Sequence, residues 1–513
     1  MYERSVSARR FSASTWALPL LASIALVVHA QIFDFVCDDA FIALRQAQNL
    51  ALHGAPVYNL GERVEAATSP LWAALLALGL LLRIPPVPLL QGASLAGGVL
   101  LVFATWHLVR RVLPERLFAQ AFALAALVSA APVAAWSIGG LETALAAAAI
   151  TSALAQVDVV DRSPSPRAAT LLGATLGLGA LVRLEVLLLT VLVLLFLRRI
   201  DGRLLRRVAW LAFAPIALFT VFRVAYYGLP LPHTFYAKTA GSAGSRVKHG
   251  FGYGYFCIGE LGFFLSLLLV ASPFLVARSA ALWTARAFVP LYVAYVIEIG
   301  GDFLDLYRFF VPLFPMLFVT FTAAAARAFD RYSASNAVRL VVGVLAFVPH
   351  ASRQLSLGAR ALAVQDPSRA KLGIEPIGWT KRAAVEWSLV GAWLKGAALP
   401  GDTLATGAAG AMPFFSGLPN FDLLGLAAPE VARAGKRLGI RPGHARYATW
   451  EQIRAHNPAF LYIEWRPNER VGWEERGYVW IRVRTDGFLT TLLVRADRAE
   501  RVLQRPDVEP LPK

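Results

Sequence analysis

Apolar runs separated by short polar connections fill most of the first 350 residues. They lie at about 15–33, 86–109, 117–138, 143–157, 168–182, 184–197, 207–226, 255–277, 287–299, 309–326 and 338–349. A helix needs roughly 20 apolar residues to cross a bilayer core of about 30 Å. Several runs are shorter, so their helices must tilt or carry polar ends inside a bundle. The first run follows Arg4, Arg9 and Arg10 and reads as an uncleaved span. One further run, Ser69–Leu82, decides the topology. If it spans, Arg110, Arg111 and Arg116 fall outside and every later connection inverts. If it lies in the interface or re-enters, those arginines fall inside. With them go Arg162 and Arg167, the group Arg198, Arg199, Arg203, Arg206 and Arg207, then Arg278 and Arg286, and finally Arg327, Arg331 and Arg339. Basic connections gather on the cytoplasmic side, so the second solution is preferred. The pattern predicts an α-helical polytopic membrane protein with about eleven transmembrane helices plus interfacial helices, C-terminus outside.

Past residue 350 the apolar runs shorten, and charges and turn residues multiply. GDTLATGAAGAMPFFSG (401–417) reads as a strand entering a Gly-rich turn and short helix. NPAFLYIEW (457–465), GYVWIRVRT (477–485) and GFLTTLLVR (487–495) read as strands, the last two forming a hairpin at Asp486-Gly487. The expected division is a transmembrane domain over 1–350 and an extracytoplasmic α/β domain over 351–513. No internal repeat is visible.

Composition agrees with a membrane protein: 57% of residues are hydrophobic and only 16% charged, against about a quarter in soluble domains. Mean hydropathy is +0.55. The net charge of +17 reflects topology-setting Lys and Arg, which argues against nucleic-acid binding. Two cysteines, Cys37 and Cys257, exclude a disulfide scaffold and a Cys-rich metal site.

Against this background the stretch Cys37–Trp72 is unusually polar. Asp38 and Asp39 follow the first span directly, and Arg45 and Asn49 fit a helix lying along the membrane surface. Their bland reading is a solvated helix start, since acids favour first turns. Their functional reading is that one carboxylate accepts a proton while the other binds a cation or orients the first. Asp38, nearest the span, is the expected base. Glu62 and Glu65 form a solvated turn or part of a site, alongside Tyr58 and Ser69. The other connections on the same side add Glu142 in GGLET, the pair Arg183 and Glu185, and His233, Tyr236 and Lys238 in PLPHTFYAK. GGDFLDLYRFF adds Asp302 and Arg308. Charge at membrane depth marks function or a structural pair. Arg183 and Glu185 pair with each other or reach a ligand. Lys238 and Arg308 are the phosphate candidates, with Arg45, Tyr58, His233 and Tyr236 as further donor contacts. Walker, dinucleotide, H-E-x-x-H and G-x-S-x-G motifs are absent, which argues against a nucleotide-driven pump.

DDAFIALRQAQNL, YNLGERVEAATSPLW, GGLETAL, PLPHTFYAKT, GGDFLDLYRFFVPLFP and GAAGAMPFFSGLPNFDLLGL together resemble the GT-C class of membrane glycosyltransferases. More narrowly they resemble the terminal arabinofuranosyltransferases of cell-wall arabinan and their bacterial relatives. The resemblance implies transfer of a sugar, such as arabinofuranose or another pentose, from a polyprenyl-phosphate donor to a cell-envelope glycan or lipid. The reaction would occur on the outer face of the bacterial cytoplasmic (inner) membrane. It also implies Asp38 as general base, and Asp39 with Glu142 as ligands of a divalent metal ion in those members that use one. The alternatives are a flippase of lipid-linked saccharide and a ligase using a lipid-diphosphate donor.

Overall fold

The computed structural model describes residues 14–238, 243–276, 279–366, 368, 373–439, 443–463 and 472–511. Arg4, Arg9, Arg10, Thr239, Arg278, Glu464 and Trp465 therefore lie outside the described residues.

The apolar runs are helices. In chain order these are α1 (Ser14–Phe33), α2 (Asp38–His53), α3 (Pro70–Leu81), α4 (Pro86–Val112), α5 (Leu117–Ser129), α6 (Ala131–Trp136), α7 (Thr143–Arg162) and α8 (Pro166–Val182). There follow α9 (Val186–Phe196), α10 (Gly202–Tyr227), α11 (His233–Lys238), α12 (Ala243–Leu261), α13 (Phe263–Leu275) and α14 (Ala280–Glu298). A 3-10 turn, Arg308–Leu313, runs into α15 (Phe314–Arg331), and α16 (Asn336–Ala363) follows. Among the described residues, 7 helices are long and apolar enough to cross a membrane: α1, α4, α7, α10, α14, α15 with its 3-10 turn, and α16. An eighth candidate is the pair α12 and α13, bent by 99°. The shorter apolar helices α5, α8 and α9 account for the remaining expected runs, and α3 covers only 12 residues. At 1.5 Å per residue that is about 18 Å, well short of a bilayer core.

Two boundaries differ from expectation. The run 117–138 breaks at Ala130, whose extended backbone (ψ 116) ends α5, and Pro132 restarts the chain as α6. Proline is tolerated in a first turn because the N–H it lacks has no intrahelical partner there. The helix α16 runs through residue 350, so the expected domain boundary falls inside a continuous helix.

Buried alanines and leucines of α4, α7, α8 and α10 form the bundle core. The helices α8 and α10 approach so closely at Gly177 that an added Cβ would lie 2.2 Å from the Leu211 carbonyl oxygen.

The distal domain starts with α17 (Ile377–Ala397) and continues through β1 (Leu404–Thr406), α18 (Ala411–Ser416), β2 (Asn420–Asp422), α19 (Pro429–Ala434), β3 (Lys436–Arg437) and β4 (Arg446–Tyr447). Then come α20 (Trp450–His456), β5 (Phe460–Tyr462), β6 (Tyr478–Thr485), β7 (Phe488–Arg495), α21 (Ala496–Leu503) and β8 (Val508–Pro510). Its mixed sheet has the order β2-β1-β5-β7-β6-β8, with β1 parallel to both its neighbours. Thr485 faces Phe488 across the β6–β7 hairpin, and Gly487 takes the left-handed conformation (φ 76) the two-residue turn needs. Cys37 and Cys257 are both buried and free.

Candidate active site

The site is built around the first turn of α2. The Cys37 amide donates to the Gly139 carbonyl at 3.1 Å, which fixes that turn against the GGLET connection. Successive helix residues point about 100° apart, so Asp38 and Asp39 meet different neighbours. Asp38 turns to the distal domain: its carboxylate accepts the amides of Gly410 at 3.0 Å and Ala411 at 2.7 Å. Gly410 packs so tightly that an added Cβ would clash with the Asp38 backbone oxygen. Burial nevertheless raises Asp38 to about 7, against the pull of those amides.

Asp39 instead opens into a cavity of about 200 Å³, together with Lys238, Arg308, Asp302, Glu142 and Arg183. The remaining wall includes Leu141, Leu184, Phe235 and Phe309. Arg308 is committed to Asp302 through two bonds of 2.7 and 3.0 Å, and reaches toward Asp39 at 3.8 Å. Its guanidinium also stands over the Trp136 and Phe309 rings. Arg183 holds Glu142 at 2.9 Å and Glu185 at 2.5 Å, so these three are an ion-pair cluster at the cavity wall. Lys238 has no ion pair among the described residues. Burial lowers its pKa, with Asp39 pulling it back up. Burial also raises Asp39, and Arg308 and Lys238 oppose that rise. The cavity thus presents one half-buried cation without an ion pair, a second, buried cation behind it, and one half-buried carboxylate, next to apolar surface. A larger apolar groove of about 490 Å³, lined by Phe118, Phe122, Phe321 and Phe329, contains none of these groups.

Several expected donor contacts are bonded away from the cavity wall. Arg45 is buried and donates to the carbonyls of Tyr58 (2.8 Å), Leu418 (2.7 Å) and Pro413, and to Asn59 Oδ1 (3.1 Å). The Tyr58 hydroxyl donates to the Ala409 carbonyl at 2.6 Å and accepts from Asn420 at 3.1 Å. His233 meets the Gly425 carbonyl through Nε2 at 3.2 Å. All three fasten the membrane domain to the distal domain. Tyr236 is half-buried and outside the cavity wall. Glu62 is exposed and accepts from Asn59. Glu65 forms a fully buried pair with Arg223 at 2.6 Å. Ser69 lines the cavity.

The two expected metal ligands, Asp39 and Glu142, both line the cavity. Glu142 is held by Arg183 at 2.9 Å, and Asp39 faces Arg308 at 3.8 Å. Among the described residues no group of three His, Cys, Asp or Glu could hold an ion.

Sequence reading missed Arg223, the partner of Glu65, and Thr234 in the cavity wall. An arginine late in an apolar run (Arg223 in α10) was the available signal. Thr234 had none beyond its place one helical turn before Lys238.

A family model described as a domain of unknown function (DUF8728) matches residues 372–502. The terminal β-(1→2)-arabinofuranosyltransferase of Mycobacterium tuberculosis is 34% identical over 236 residues, 43% of this chain and 37% of that protein. Its namesake from Corynebacterium glutamicum is 29% identical over 329 residues, 55% and 47% of the two chains. The matches thus cover less than half the length of these relatives. Among solved structures, ArnT from Cupriavidus metallidurans bound to undecaprenyl phosphate superposes with a TM-score of 0.58 at 14% identity, covering 95% of this chain and 99% of ArnT. The Archaeoglobus fulgidus oligosaccharyltransferase, solved with Zn and sulfate, gives 0.56 at 14% identity, covering 92% and 72%. The chain therefore shares the fold of ArnT and of the oligosaccharyltransferase, and part of it is similar in sequence to the terminal arabinofuranosyltransferases.

Proposed function

We propose that this protein transfers a sugar from a polyprenyl-phosphate donor to a hydroxyl of a cell-envelope glycan or lipid. Arabinofuranose is the sugar its sequence relatives point to. The observation that carries the reading is the cavity in which Asp39, uncommitted Lys238 and Arg308 meet beside an apolar wall. Lys238 and Arg308 bind the donor phosphate, since a lipid phosphate at the membrane surface requires fixed cations. Asp39 takes the proton of the acceptor hydroxyl as its oxygen bonds to the anomeric carbon. The bond from that carbon to the phosphate oxygen breaks, and polyprenyl phosphate leaves with the electron pair, its charge met by the two cations. The base thus shifts from Asp38, the expectation from sequence, to its neighbour, because Asp38 is occupied by two amides. No metal enters this scheme. The arginine distribution supports a cavity open to the outer face of the cytoplasmic membrane.

The test is transfer from synthetic polyprenyl-phosphoryl arabinofuranose by the purified protein in lipid nanodiscs, with the corresponding lipid diphosphate as control. Transfer from the monophosphate donor alone is expected. Transfer from the diphosphate alone, or from neither, would refute the assignment.

A further inference from the structure

Serine is among the residues best suited to cap a helix by accepting a backbone N–H. Ser69 stands at the N-cap of α3 and makes no such bond. It is only 3% exposed, and its hydroxyl has no hydrogen-bond partner among the described residues. Thr234 on α11 is in the same position, 4% exposed and with an unpartnered Oγ1. Buried hydroxyls are nearly always paired; that of Thr143 is unpaired too, but Ser69 and Thr234 share one cavity. Both line the cavity that holds Asp39, Lys238 and Arg308. Thr234 precedes Lys238 by one helical turn, which puts the two side chains on the same face of α11.

A lipid-linked sugar has three parts. An alkyl chain would leave both hydroxyls unpaired, and a phosphate is met by the neighbouring cations. A sugar ring offers hydroxyls that donate and accept, as Ser and Thr hydroxyls themselves do. We propose that Ser69 and Thr234 form the sugar subsite of this cavity, hydrogen-bonding ring hydroxyls of the donor. The proposal rests on the lipid-phosphate-sugar reading above and adds to it the residues that select the sugar.

The experiment compares binding of farnesyl phosphate and farnesyl-phosphoryl arabinofuranose to the wild-type protein, Ser69→Ala and Thr234→Val in detergent. Each variant should lose about three- to tenfold in affinity for the glycosylated ligand, the worth of a neutral hydrogen bond, and nothing for farnesyl phosphate. Ring-deoxy analogues should discriminate less in the variant whose hydroxyl they would have met. Melting temperatures without ligand should hold or rise, because neither hydroxyl has a protein partner to lose. Equal losses for both ligands would place the hydroxyls on the phosphate and overturn the subsite, leaving the donor reading intact. Unchanged binding of both ligands, or a marked fall in melting temperature, would also overturn it. Failure of the wild-type protein to bind either ligand would refute the donor reading and the subsite together.

Discussion

Asp38 and Asp39 are chemically identical and adjacent, yet Asp38 meets the Gly410 and Ala411 amides and Asp39 meets the cavity. Asp39→Asn removes proton acceptance at the cavity, so turnover should fall by about a hundredfold or more while farnesyl-phosphate binding survives. Near-normal turnover would end its role as base. Burial raises the Asp39 carboxyl, and the base acts deprotonated. Hence kcat/KM should decline as pH falls through a midpoint above the ordinary carboxylate value of about 3.9, as a pH–rate profile would record. A midpoint at or below that value would contradict the scheme. Asp38→Asn sets an amide NH2 against one of two backbone N–H groups. It should cost about 1–3 kcal/mol of stability and lower the melting temperature. Its pH signature also differs. With Asp38 raised to about 7 in the fold, its contribution to stability is full below the unfolded value of about 3.9 and is lost as pH rises through about 7. That slope should be shallower near pH 7 in Asp38→Asn, with Asp39 and Asp422 still contributing, and an unchanged slope would place the titration on another group.

At the scale of elements, α2 is the junction between bundle and distal domain. Its Arg45 guanidinium ties together the loop after α2, α18 through Pro413, and the turn after α18 through Leu418. Arg45→Met leaves several buried acceptors unpaired and should destabilise by on the order of 3 kcal/mol or more, read by thermal unfolding. A neutral result would mean the clamp is dispensable. The loop after α2 is fixed to α10 by Glu65 and Arg223, both nearly fully buried. Removing one member strands a buried charge, at a cost of about 3–5 kcal/mol, whereas replacing both by apolar residues is often neutral. Arg223→Met should therefore be much less stable than Glu65→Leu combined with Arg223→Met. Equal stability of the two would show that water reaches the pair. The element α11 divides its faces: His233 meets the distal domain, and Thr234 and Lys238 meet the cavity.

For the whole molecule the central prediction is sidedness. Reporter fusions after Arg111, Arg207 and Arg331 should read as cytoplasmic and one after Gly401 as external. An external signal after Arg111 would mean that Ser69–Leu82 spans after all. The amino-acid sequence by itself determined the helices, the shortness of α3 and the β6–β7 hairpin, because apolar run length and turn chemistry are local properties. It also brought forward the connections that supply the cavity wall, since charge at membrane depth is costly wherever it occurs. Which residue of each connection does what was decided only by tertiary structure. Asp38 is claimed by amides 372 and 373 residues further along the chain, and the Tyr58 hydroxyl by a carbonyl 351 residues away. Nothing local encodes such partners. Neighbours on a helix point about 100° apart, so a rotation of one residue separates a carboxylate that fastens two domains from one that faces the cavity.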